Sequence, residues 1–182
     1  KESIANYARS FQNRGRDMNS DFEQYSQIGR NVRMTEISAL IGRIQLSHLD
    51  ENIMRRREIA NIYYKELYSY KEIDLIFPKE IESSSFWKFS ILLKPNFSRD
   101  KVLAYLKKNG INADATYQPP LHLQPILRDI YKTYPGQFPI SENLLKRNIC
   151  LPCHPKIKDQ DVIFICKVLK TALNFQKDLI SA

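Results

Sequence analysis

The side chains with the most reactive chemistry are thiols and imidazoles. Cys150-Leu151-Pro152-Cys153 has the C-x-x-C spacing, and His154 follows directly. A pair with that spacing does redox chemistry when its first cysteine opens a helix, where the thiolate is stabilised. It holds zinc when a second pair completes a tetrahedral set. Cys166 is the one remaining cysteine and cannot supply that pair, and His154 is badly placed to join Cys153 on one ion. No metal site is expected. The odd cysteine count points to a reducing compartment rather than a disulfide scaffold.

The second chemistry on offer is cationic. With 28 Lys+Arg against 20 Asp+Glu, the formal charge is +8 and the sequence pI about 9.4. Such charge can serve a nucleic acid or a small anion, or can simply solvate a surface. The densest cluster, Arg55-Arg56-Arg57, is flanked by Glu51 and Glu58. No arginine–aromatic interleaving of the RNA-binding kind follows it. A basic nucleic-acid-binding α+β module, using a helix over 51–70, stays open as an alternative. So does a stand-alone interaction domain that dimerises through 1–50. No apolar run reaches membrane-spanning length and no signal peptide is recognisable, so the expected location is cytoplasmic with no membrane partner.

These groups need elements to position them. With 43% hydrophobic residues, 10 Tyr and 9 Phe, the chain can build a core. Ile4, Tyr7, Ala8 and Phe11 fall at helical spacing over 1–12. A chain that begins inside such a pattern is expected to be a fragment of something longer. Residues 13–30, polar and holding Gly15 and Gly29, read as a loop. Ile37, Leu40, Ile41 and Ile44 mark a helix over 35–49, with Thr35 as N-cap and Glu36 at the positive end of its dipole. A long charged helix over 51–70 carries the seam Ile59, Ile62, Tyr63 and Leu67.

From there the period changes. Phe86, Phe89, Ile91 and Leu93 form a strand-like run ended by Pro95. Ser98 caps a helix with inner face Val102, Leu103 and Leu106, and Gly110 suits its left-handed C′ position. Residues 111–117 read as a second strand. Prolines 119, 120, 125, 135 and 139 make 117–140 an ordered loop, with a helical turn or two near 125–132. A helix over 141–148, a short strand over 149–151 and a helix over 159–175 follow. The last buries Val162, Ile165, Cys166, Leu169 and Leu173, so Cys166 reads as core packing. The fold class is α+β, with helices on one face of a small sheet.

Four segments carry a resemblance. They are ARSFQNRGRD at 8–17, GRNVRMTEISALIGRIQL at 29–46, RRREIANIYYKEL at 55–67, and PPLHLQP at 119–125 with LPCHP at 151–155. In this order and spacing they resemble the DegT–StrS family of sugar aminotransferases, which use pyridoxal 5′-phosphate (PLP) on a fold-type-I scaffold. The resemblance implies the C-terminal small domain of such an enzyme at 71–182. It implies a connecting helix at 51–70, and the end of the large PLP-binding domain at 1–50. The apolar face of 1–50 is then incompletely covered, and that segment is expected to self-associate or to lack order.

The resemblance also implies a chemistry. PLP is held by a lysine in a motif upstream of the segment that resembles residue 1. No lysine here has that context, so no catalytic residue is assigned and the fragment alone is expected to be inactive. The implied reaction moves an amino group from an amino acid, glutamate by resemblance, to a nucleotide-linked keto-sugar for surface polysaccharide. A PLP- or PMP-dependent dehydratase of the same family is the alternative. The implied assembly is a homodimer with active sites at the interface. Asn31 matches the asparagine that reaches the cofactor phosphate across that interface; otherwise it is a turn residue before the Thr35 cap. Arg33 matches a substrate-facing arginine whose fork suits a nucleotide diphosphate, and Arg16 is a weaker candidate for the same anion. Tyr117, Gln118 and His122 match the sugar-pocket loop. Many members have His-Tyr where this chain has Tyr117-Gln118, a departure that leaves the sugar unassigned. His122 is read as a substrate or loop-ordering contact, and His154 as structural.

Overall fold

The computed structural model describes the backbone of residues 1–181 and the side chains of residues 1–177. The chain forms two compact units, Lys1–Leu49 and a second from Asp50 onward.

The first unit holds helices α1 (Glu2–Gln12) and α2 (Glu36–Ser47). Thr35 caps α2 as its sequence predicts, its Oγ1 accepting from the Ser38 amide at 3.2 Å. Residues 13–30 are more than a loop. Isolated antiparallel bridges join Asn13 to Asn31 and Arg16 to Tyr25. Backbone hydrogen bonds lace the two runs: Arg14 N to Arg30 O at 2.9 Å, Ser26 N to Gly15 O at 2.9 Å, and Val32 N to Gln12 O at 3.0 Å. Glycine makes this approach possible. A Cβ on Gly15, whose φ is +85°, would sit 1.7 Å from the Gln27 carbonyl oxygen. Apolar burial contributes little here. No residue of α2 is buried, and Ile37, Leu40, Ile41 and Ile44 are exposed.

The second unit is built the opposite way. Helix α3 (Leu49–Leu67) puts Ile59, Ala60, Tyr63 and Leu67 into its core. The sheet is antiparallel with order β1-β2-β3, from strands β1 (Ile73–Leu75), β2 (Phe89–Leu93) and β3 (Asn148–Leu151). The β2–β3 register sets Phe89 opposite Leu151 and Ile91 opposite Ile149, all nearly fully buried, while Ser90 and Cys150 share the other face. That is the period-2 division of a sheet with one face covered by helices. The Tyr63 ring stacks on Phe89 with centroids 4.7 Å apart, and its hydroxyl donates to the Pro152 carbonyl at 2.9 Å. Helices α4 (Arg99–Lys108) and α7 (Asp159–Ser181) pack on each other. The buried Gln176 clamps them, accepting from Ser98 N at 2.8 Å and donating to Ser98 O at 3.2 Å.

Several predicted elements shift. The strand expected over 111–117 is not a strand; only Asp114 pairs with Cys150, in an isolated bridge. The chain enters this stretch from Gly110 at φ +78° and leaves at Tyr117 at φ +55°, and between these two left-handed residues it meets β3 at one position only. The third strand is instead Ile73–Leu75, three residues too short to show a period in the sequence. The strand expected from Phe86 starts at Phe89, because Phe86 adopts φ +44° to tuck its ring among Phe77 and Phe89. The Pro-rich stretch folds into a 3₁₀ turn at Leu121–Leu123 and helix α5 (Pro125–Tyr131). Helix α6 (Pro139–Arg147) starts two residues earlier than expected, with proline in its first turn, where the missing N–H costs nothing.

Candidate active-site elements

Each unit carries candidate residues of its own. In the first, the bridge between Asn13 and Asn31 fixes the Asn31 backbone. Its side chain is exposed and makes no hydrogen bond among the described residues. Two residues on, Arg33 is also exposed, and its Nη1 donates to Asn13 Oδ1. Asn13 thus holds both ends of the Asn31-x-Arg33 segment, one through backbone and one through side chain. No spacing rule flagged Asn13, because its partners lie about twenty residues away and pair only after the chain folds back. Arg16 is exposed, with its backbone paired to Tyr25.

In the second unit, Tyr117 is exposed and left-handed, and Gln118 reaches back to donate to the Leu145 carbonyl at the end of α6. Gln124 donates to Pro119 O at 2.9 Å across the same loop, and Pro120 is buried. His122 is tied in more closely. Its Nε2 lies 3.0 Å from Glu142 Oε1, with the two side chains only 11% and 15% exposed. Its ring meets Phe138 edge-on at 4.9 Å, and Thr133 Oγ1 donates to its carbonyl. Glu142 Oε1 also accepts the amides of Gly136 at 2.8 Å and Phe138 at 3.4 Å. Burial raises the Glu142 pKa. The His122 contact and the two amides outweigh burial and leave it below the ordinary glutamate value. One carboxylate therefore gathers three points of a Pro-rich loop. Glu142 was invisible in the sequence, twenty residues from His122 with no motif joining them.

The cysteines are packed. Cys150 sits within β3, its Sγ 2.9 Å from Thr116 Oγ1 and 3.4 Å from Ser90 Oγ. Burial pushes the Cys153 thiol up to about 11, against the opposing charge of Arg56. Burial likewise raises Cys166 to about 12. Both are protonated at neutral pH and are poor nucleophiles or metal ligands. Among the described residues no cluster of three His, Cys, Asp or Glu is placed to hold a metal. No described helix is long and apolar enough to cross a membrane.

Residues 1–170 match the DegT/DnrJ/EryC1/StrS aminotransferase family. The chain belongs to that family. GDP-perosamine synthase of Escherichia coli O157:H7 is 35% identical over 142 residues, 77% of this chain and 36% of that protein. The dTDP-4-amino-4,6-dideoxy-D-glucose transaminase of Escherichia coli is 31% identical over 144 residues, 78% of this chain and 38% of that protein. Among solved structures, a DegT DnrJ EryC1 StrS aminotransferase from Brucella abortus is 28% identical with a TM-score of 0.79, covering 94% of this chain and 44% of that one. The fold recurs in the aminotransferase TlmJ from Streptoalloteichus hindustanus, at 25% identity and TM-score 0.83 over 96% of this chain and 46% of that one. The family member described here thus spans about two fifths of the curated relatives it matches.

Proposed function

We propose that this chain is the C-terminal part of a PLP-dependent sugar aminotransferase. The complete enzyme moves an amino group from an amino acid, glutamate in our reading, to a nucleotide-linked keto-sugar destined for a surface polysaccharide. It works in the cytoplasm as a homodimer whose active sites lie at the subunit interface. The observation that carries this reading is the Asn31-x-Arg33 segment, held at both ends by Asn13 within a chain that matches the family over residues 1–170. Support for the sugar-nucleotide class comes from the names of the relatives, a GDP-perosamine synthase and nucleotide-sugar transaminases.

The donors available here fit a phosphate-bearing cofactor. The Asn31 amide is exposed on a fixed backbone with no other acceptor among the described residues. A neutral N–H suits a phosphate whose charge is already compensated elsewhere. PLP supplies an electron sink for the carbon that loses a proton during amino transfer. In our assignment Asn31 donates to the cofactor phosphate in the partner's site. Arg33 keeps most of its five N–H donors beyond the one given to Asn13, and turns them to the substrate diphosphate. Arg16 adds a second cation to the same anion. Tyr117 and Gln118 present the rim of the sugar pocket. His122 acts there through its pairing with Glu142, which sets the height and shape of that rim. The lysine that holds PLP is assigned to the polypeptide preceding residue 1, so the 182-residue chain alone is inactive.

Expression of the complete reading frame tests this. The purified protein should retain PLP and convert a nucleotide-linked keto-sugar to its amino sugar with glutamate as donor. Asn31→Ala should lose PLP on dialysis faster than the parent. Arg33→Gln should raise KM for the sugar nucleotide and leave cofactor retention unchanged. A histidine at the lysine position, or a deoxygenated product in place of an amino sugar, would overturn transamination.

A further inference from the structure

Three consecutive arginines of α3 differ in what they hold. Arg55 donates to Ile157 O at 2.7 Å and pairs with Asp159 at 2.6 Å and Glu58 at 2.9 Å. Arg57 donates to Ser84 O at 3.0 Å and Glu82 O at 2.5 Å. Arg56 makes no side-chain hydrogen bond or ion pair among the described residues, and its Nε is buried without an acceptor. Buried donors are nearly always satisfied, so an orphan beside a pocket calls for an explanation.

The pocket beside it has a volume of about 250 Å³, and its lining includes Arg56, Trp87, Lys88, Asn112, Asp114 and His154. Lys88 Nζ stands 5.1 Å from the Trp87 ring centroid and 3.4 Å from Asp114 Oδ2. Asp114 offsets one of the two fixed cations and leaves a surplus of one positive charge. Trp87 is the chain's single tryptophan and is 68% exposed, although aromatic side chains of this size usually bury most of their surface. A planar cationic fork with spare donors, a second cation set over the indole, and an indole that is largely exposed make a recognisable combination. The fork matches the paired oxygens of a carboxylate or phosphate, and the indole offers a surface for a flat ring.

We propose that Arg56, Lys88 and Trp87 form a binding site for a small organic oxyanion, whose carboxylate or phosphate ester meets Arg56 and Lys88 while its flat body lies on Trp87. None of the residues assigned above to cofactor or substrate lines this pocket. The site is independent of the aminotransferase reading, and its test needs neither PLP nor turnover.

The fluorescence of the single tryptophan reports the site directly. The 182-residue chain would be titrated with uridine monophosphate, with benzoate, and with uridine as the uncharged control. Saturable quenching is expected from uridine monophosphate or benzoate, and the one that binds identifies the anion as phosphate or carboxylate. Uridine should bind at least about tenfold more weakly than the anion, and Arg56→Gln should weaken the anion by about tenfold or more, the scale of one charge-assisted contact. The affinity should also fall as sodium chloride is raised. If circular dichroism shows Arg56→Gln to be unfolded, Lys88→Gln takes its place, since Lys88 can be neutralised without opening the core. Absence of saturable quenching by either anion overturns the site. So does uridine binding as tightly as uridine monophosphate, or an affinity untouched by Lys88→Gln and by salt.

Discussion

The two units of this chain are stabilised by different physics. From Asp50 onward, order comes from apolar burial: Tyr63, Phe89, Ile91, Leu106, Ile149 and Leu169 are wholly or almost wholly withdrawn from water. In Lys1–Leu49, order comes from backbone hydrogen bonds and two closely approaching glycines, with large apolar side chains left on the surface. A unit of the first kind can answer for its own stability. A unit of the second kind leaves its apolar side chains in water. The contrast makes the sharpest prediction. Phe89→Ala, which removes a ring stacked on Tyr63, should cost about 3–5 kcal/mol in urea unfolding of the chain. If Phe89→Ala instead cost no more than a surface change, the second unit would owe its order to something other than this core.

The corresponding weak point of the first unit is Gly15. Gly15→Ala drives a methyl group into the Gln27 carbonyl, 1.7 Å from its oxygen, at a backbone angle that side chains rarely adopt, so the two backbone runs must part. The cost should be about 1–3 kcal/mol, and it should stay local. Hydrogen exchange should show the amides of Arg14, Ser26 and Arg30 losing protection while those of β2 and β3 keep theirs. Equal loss in both units would mean that the lace and the core form one cooperative body.

The same contrast explains what could be read from the residues. Elements whose pattern is periodic and whose face is buried were legible: the seam of α3, the inner face of α4, and the apolar stripe of α7 with Cys166 inside it. The cap at Thr35 was legible because capping is a local event. Ile73–Leu75 was not, since three residues give no period and their partners lie sixteen or more positions away. Residues 111–117 carried a strand's composition, but a strand needs an edge to pair with, and only Asp114 reaches that of β3, in a single bridge to Cys150. Asn31, Arg33 and His122 were singled out as candidates by motif resemblance. Their supports, Asn13 and Glu142, were not, because each acts through a pairing about twenty residues away in the chain.

Glu142 gives a third comparison, within the second unit. The buried core there holds no carboxylate among the described residues, but the Pro-rich loop is gathered on one whose folded-state pKa lies below its unfolded value. The contribution is therefore complete above the ordinary glutamate value and is lost as the pH falls through the depressed value. Amide resonances of Gly136 and Phe138 should shift together in that acid window, ahead of any change in β2. Glu142→Gln should loosen the same two amides at neutral pH with no comparable effect on the core. If those resonances held steady until the whole chain unfolded, the loop would be ordered by its prolines and not by the carboxylate.

The smallest effect on stability is expected where the most apolar surface is exposed. Leu40 and Ile44 lie on α2, a helix with no buried residue. Replacing both with serine removes no internal contact of the kind that Phe89 makes. Urea unfolding should therefore move by no more than about 0.5 kcal/mol, the usual range for surface changes. Solution behaviour should change far more. An amphipathic helix with an uncovered apolar stripe favours association, because each partner withdraws the other's surface from water. Sedimentation or light scattering should find the parent chain associating with rising concentration and the doubly substituted chain doing so much less. A large loss of stability with unchanged association would reverse the comparison, since the stripe would then be satisfied within the monomer and the first unit would have a core after all.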